Sequence, residues 1–212
     1  MRSFGMTLLQ LSTLFLSILL SGSSLFFLGR ITRQTLKLIL AFSGAYLFSL
    51  SLIHLLPEVY TSGGASIGVF ILTGFFLQIV LEIFSEGIEH GHMHVHHDSG
   101  GRFPLAVMLG LCIHSFLEGM PLAQHFQEDS TRSSLLAGII LHHIPVAIAL
   151  MTMLMDSGIS KLKSLGWLTV FALMAPLGSW TGEWINLSFT QDLTILFNRL
   201  MAIVIEIGRA HV

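Results

Sequence analysis

Five runs without a single Asp, Glu, Lys or Arg divide this chain: Ser3 to Gly29, Leu38 to Pro57, Val59 to Leu81, Ser133 to Met155 and Ser164 to Gly182. Each is close to the roughly 20 residues that a helix needs to cross a bilayer. Charged residues make up 10% of the 212, against roughly 25% in an ordinary soluble domain. A water-soluble globule is therefore excluded, and no strand-period alternation competes with helix. Inside lipid the backbone must satisfy its own polar groups, so the expected fold class is an all-α integral membrane bundle.

The reading gives six full transmembrane helices: the N-terminal run, then approximately Leu36–Leu56, Ala65–Ser85, Phe103–Gln124, Ser133–Met155 and Leu165–Leu187. A seventh starts near Leu193. The first run is longer than the apolar region of a signal peptide and has no small-x-small cleavage site before Arg30, so it is read as a span. Arg30, Arg33, Lys37, Arg102, Lys161 and Lys163 fall in odd-numbered loops, whereas the N-terminus and the even loops hold only Arg2 and Arg132. The positive-inside rule then places the N-terminus outside a plasma or bacterial inner membrane. The domain reading is one transmembrane unit over 1–205, with a His-rich cytoplasmic loop at 89–101. The segment Glu206-Ile207-Gly208-Arg209-Ala210-His211-Val212 breaks the seventh apolar stretch and reads as a translated sequencing adapter, so 206–212 is expected to be a non-native tail on a chain that naturally continues.

A net charge of −2 gives no footprint for nucleic acid, the lone Cys112 excludes an intrachain disulfide, and no Gly-x-x-x-x-Gly-Lys-Ser/Thr loop is present for nucleotide. The chemistry instead lies in ionisable residues within the apolar runs, which are costly there and point to function. His114 and Glu118 are four apart on one helix face, near mid-bilayer. His142 and His143 reach a similar depth in the fifth span. Imidazole with carboxylate forms a good shell for zinc or a similar divalent transition metal. The plainer alternative is that each histidine only hydrogen-bonds a neighbouring helix. A helix points one residue of an adjacent pair into the bundle, so His142 is the first choice as ligand, and His143 is equally a ligand or a packing residue.

Three further features extend this line. Pro121, Pro145 and Pro176 each free a carbonyl four residues upstream, the pattern of helices broken at a mid-membrane site, although ordinary kinks give it too. His54 and Glu58 share a face at the outer end of the second span, either as an outer mouth or as an interfacial pair; Glu82 and Glu86 step down the inner end of the third. They lead to His90, His92, His94, His96 and His97, a metal-capturing loop or a solvated spacer by composition. Gly178 and Gly182 form a Gly-x-x-x-Gly pair suited to close helix contact.

The segments His54-Leu55-Leu56-Pro57-Glu58, His114-Ser115-Phe116-Leu117-Glu118-Gly119, Leu141-His142-His143-Ile144-Pro145 and Ala175-Pro176-Leu177-Gly178 together resemble the signatures of the ZIP (Zrt/Irt-like) divalent metal transporters. The resemblance implies eight spans with both termini outside, and metal ligands at His114, Glu118 and His142. The Ser115 position holds a ligand of a second metal in some members. Those members also carry acids where this chain has Val146 and Ala175, which favours one metal here, with His143 a substitute.

The expected function is transport of zinc, or of iron or manganese, into the cytoplasm, with the metal as cargo and no prosthetic group, and with the bilayer and a second copy in a homodimer as partners. It is not expected to be an enzyme. Imidazole binds metal only when neutral, so uptake should weaken as external pH falls. The rivals are a membrane metal-dependent hydrolase, which lacks His-Glu-x-x-His, and a membrane metal sensor built around the His-rich loop.

Overall fold

The computed structural model describes residues 7–29, 31–57, 60, 67–85, 105–123 and 129–188. All regular structure among them is helical. We number the helices by span. α1 is Leu8–Ser23, followed by one short turn of helix, Leu25–Leu28; α2 is Arg33–Leu50, carried on by a π-helical turn, Ser51–Leu55; α3 is Ile67–Ser85. α4 is Leu105–Gly119 with a 3-10 turn, Met120–Ala123; α5 is Asp129–Asp156; α6 is Lys161–Ser188. The expected seventh span, the His-rich loop and the segment 206–212 lie outside the described residues.

Local chemistry sets the helix ends. Thr7 opens α1 with a capping box: its hydroxyl accepts from the Gln10 amide at 3.3 Å, while Gln10 Oε1 accepts from Thr7 N at 2.9 Å. Thr32 caps α2 in the same way, accepting from Thr35 N at 3.1 Å. α5 ends in a Schellman motif, with Gly158 at φ 76°, its N–H donating to Met155 O at 3.1 Å and Ile159 N donating to Leu154 O at 3.2 Å. The left-handed φ at that position favours glycine.

Among the described residues, five helices are long and apolar enough to cross a membrane: Leu8–Leu28, Arg33–Leu55, Leu105–Ala123, Ser130–Asp156 and Lys161–Ile185; α3 contributes a shorter apolar stretch, Gly68–Val80. The bundle has inner and outer members. The apolar windows of α4 and α5 are each 67% buried, whereas that of α1 is 22% buried. α5 runs between α1 and α2 and also touches α6, so that Val146, Ala147, Ile148, Ala149, Leu150 and Met151 are buried consecutively. Its N-terminal half still carries an exposed stripe, Ser133, Ala137 and Leu141, at the spacing of one helix face. Large apolar side chains such as Leu20, Phe42, Phe76 and Trp180 point outward on the surrounding helices, as a lipid-facing surface requires.

Lipid is as apolar as leucine, so burial alone does not drive helices together in a membrane; close packing must do so. The closest approach joins α4 to α6. A Cβ on Gly119 would collide with the Ala175 carbonyl, and one on Gly178 with the Phe116 carbonyl. Gly182 packs against the Met120 carbonyl, where a Cβ would come within 2.7 Å of the oxygen. The expected Gly178/Gly182 contact thus exists, and its partner is the helix carrying His114 and Glu118.

The prolines act differently from the expectation. α5 and α6 continue through Pro145 and Pro176 without interruption. Only Pro121 coincides with a change, the tightening of α4 into its 3-10 turn.

Candidate metal centre

α4 presents His114, Ser115 and Glu118 to the interior, all buried, and α5 presents His142 and His143 at the same level. His114 Nε2 lies 3.2 Å from Glu118 Oε1, as an i, i+4 pair on one helix face should. The rings of His114 and His142 have centroids 6.3 Å apart at 64°. One ligating atom from each of His114, Glu118 and His142 falls within 4.8 Å of the other two. Tetrahedral zinc with bonds of about 2.0 Å to nitrogen or oxygen spaces its ligands about 3.3 Å apart. The His114–Glu118 pair already meets that spacing, and the remaining closure of at most about 1.5 Å is within reach of side-chain rotation.

Each histidine is held through its other nitrogen. Ser43 on α2 donates its hydroxyl to Leu40 O at 2.9 Å, so the oxygen is left as an acceptor toward His142 Nδ1, 3.4 Å away. A neutral His142 donating from Nδ1 keeps a lone pair on Nε2, as a metal ligand needs. Gln78 on α3 sets its amide nitrogen 3.3 Å from His114 Nδ1. His143 Nδ1 stands 2.9 Å from Ile139 O, which can only accept, so the ring proton sits there. His143 Nε2 then accepts from the Ser115 hydroxyl at 3.0 Å, and lies 3.5 Å from Glu118 Oε2. Its ring stacks on Phe171, with centroids 5.6 Å apart and planes at 29°.

His142 and His143 are both buried, against the expectation that one of an adjacent pair points into the bundle, because the exposed stripe of α5 runs through Ser133, Ala137 and Leu141 and leaves both histidines facing neighbouring helices. His142 joins the cluster that could hold a metal. His143 braces the hydroxyl of Ser115, with its ring edge 3.5 Å from the second oxygen of Glu118. The neighbouring positions Val146 and Ala175 are buried and carry no ligating atom.

Of the other sequence-derived residues, the structure describes the side chain of His54. His54 lies in the π-helical turn and is exposed. Glu82 falls on α3, but its side chain is outside the described residues, as are Glu58, Glu86 and the loop histidines His90, His92, His94, His96 and His97. Sequence reasoning missed Gln78 and Ser43, which are uncharged and were passed over in favour of acids and histidines. One signal was available for Gln78: it stands four residues before Glu82, on the same stripe of α3.

Comparison with known proteins agrees with this geometry. Residues 103–195, which include α4 to α6 and all five candidate residues of the cluster and its brace, match the family described as ZIP Zinc transporter. The chain is similar to Zinc transporter ZIP9-B of Xenopus laevis, with 30% identity over 119 residues, covering 53% of this chain and 38% of that protein. It is also similar, at 29% identity over the same coverage, to Zinc transporter ZIP9 of Xenopus tropicalis. The chain thus spans about 38% of the length of the curated relatives it matches. Helices of membrane-crossing length, a buried His/Glu cluster and the family match over the segment that carries it lead to one conclusion: residues 103–195 of this multi-pass membrane chain are similar to the ZIP zinc transporter family.

Proposed function

We propose that this protein carries zinc, or a similar divalent cation such as iron or manganese, across a membrane into the cytoplasm through a single site made by His114, Glu118 and His142. The observation that carries the reading is Glu118, a carboxylate 1% exposed and ringed by imidazoles. A carboxylate in a low-dielectric interior costs several kcal/mol unless cationic or hydrogen-bonded partners compensate it. A divalent cation does so best. Two nitrogens and one oxygen leave a coordination position for water, which suits a site that must release its metal as well as bind it.

Apolar Val146 and Ala175 favour one metal rather than two, with His143 and Ser115 as braces. His54 and Glu58 are proposed as the outer approach, Glu82 and Glu86 as the inner exit, and the loop from His90 to His97 as the cytoplasmic acceptor, in a chain whose N-terminus faces outside. The membrane is proposed to be the plasma or bacterial inner membrane, and a homodimer the assembly. The relatives named as zinc transporters support zinc as cargo.

Zinc-65 flux into proteoliposomes containing the full chain tests this. Flux that is lost in His114→Ala/Glu118→Ala supports transport through the centre. Zinc binding without flux in either protein would point to a sensor or a hydrolase instead.

A further inference from the structure

His114 Nδ1 faces a partner able to act in either direction. Ile139 O can only accept from His143, and Ser43, its proton spent on Leu40 O, can only accept from His142. Gln78 carries both a carbonyl oxygen and an amino group on one planar amide. It is 2% exposed, with Nε2 3.3 Å from His114 Nδ1. Its Oε1 has no hydrogen-bond partner among the described residues.

The direction of that contact decides what His114 can do. With the amide nitrogen donating, Nδ1 must accept, and the single proton of the neutral ring sits on Nε2, 3.2 Å from Glu118 Oε1. In that tautomer Nε2 has no lone pair for a metal. Turning the amide over about its last torsion exchanges Nε2 for Oε1 at nearly the same place. That torsion is broad and roughly two-fold, and Oε1 forfeits no hydrogen bond by turning. Oε1 then accepts from Nδ1–H, and Nε2 is bare. The two arrangements differ by one proton moved from Nε2 to Nδ1, with the proton count of the ring unchanged.

We propose that Gln78 is a positioning residue for the metal centre, whose amide turns to accept from His114 Nδ1 and so frees Nε2 to bind the divalent cation. This rests on the reading of His114 as a metal ligand. In the empty centre the same amide donates instead, and the ring proton stays on Nε2 beside Glu118. His114 Nδ1 thus has a partner both with and without metal, which suits a site that must fill and empty repeatedly. No acid or lysine at position 78 would serve both tautomers as well, because an ionised acid only accepts and an ammonium only donates.

The test measures zinc affinity of the full chain in detergent for the wild type, Gln78→Leu, Gln78→Glu and His114→Ala, with nitrogen-15 NMR of labelled histidine on the zinc-loaded wild type. Gln78→Leu is expected to weaken zinc binding by about 10- to 100-fold, as loss of an outer partner of a metal-bound histidine does, without changing the number of ions bound. Gln78→Glu, of the same shape and able to accept from Nδ1–H, should recover affinity to within a few-fold. The wild-type spectrum should show His114 protonated at Nδ1 and metallated at Nε2. Wild-type affinity in Gln78→Leu, equal losses in Gln78→Leu and Gln78→Glu, or zinc on Nδ1 would each overturn the proposal. The spectrum and Gln78→Glu decide the matter if Gln78→Leu does not fold. If His114→Ala binds zinc like the wild type, the reading of the centre itself fails; if His114→Ala loses zinc while Gln78→Leu keeps it, only the role of Gln78 does.

Discussion

His143 Nε2 lies 3.0 Å from the hydroxyl of Ser115, across the interface between α5 and α4. With its other nitrogen against Ile139 O and its face on Phe171, this ring is committed to packing on every side. His143→Ala should therefore destabilise the fold by about 2–5 kcal/mol, the range for emptying a buried site of similar size. The number of zinc ions bound should stay at one. Thermal unfolding in detergent and equilibrium dialysis with zinc measure the two effects. A loss of zinc with unchanged stability would make His143 a ligand rather than a brace.

His114, Glu118 and His142 should behave as one unit. Replacing any of them with Ala is expected to reduce zinc flux by more than about 100-fold, beyond the range typical of outer partners. His54→Ala, at an exposed position in the π-helical turn, should cost much less. Proteoliposome uptake rates at saturating and limiting zinc check the ordering. Similar losses for His54→Ala and His142→Ala would contradict a single interior station.

Bound zinc should stabilise the folded chain by mass action, by about 2.7 kcal/mol at a hundred times its dissociation constant. A chelator should abolish that increment in the wild type and change nothing in Glu118→Ala. Lowering the pH should erode it as well, because a protonated imidazole has no lone pair to offer and protons compete with the metal. Melting curves recorded with and without zinc across the histidine range test the sign.

The contact of α4 with α6 admits no extra methyl group. Gly119→Ala must push the Ala175 backbone away, and Gly178→Ala the Phe116 backbone. Each is expected to cost about 1–3 kcal/mol, the usual penalty for overpacking, and to weaken zinc binding because α4 carries two of the ligands. Gly166→Ala on the same helix meets nothing within 4 Å and should be neutral or mildly stabilising. Unfolding midpoints of the three variants, measured side by side, provide the comparison.

The sequence by itself determined the spans and the core of the site. Hydrocarbon excludes charge, so the uncharged runs mark the helices, and the helical period puts His114 and Glu118 on one face wherever that helix docks. Counting from the ends of the runs was enough to bring His142 to the same depth. The tertiary structure alone decided the rest. The exposed stripe of α5 passes through Ala137 and Leu141, so adjacent His142 and His143 are both buried, against the expectation that one helix face would be chosen. The partners of their ring nitrogens include Ser43 for His142 and Gln78 for His114, 99 and 36 residues away in the chain. Spacing along one helix is fixed by the backbone, whereas a contact between helices depends on how each is rotated and how closely it packs, and here glycines at Gly119 and Gly178 set that distance.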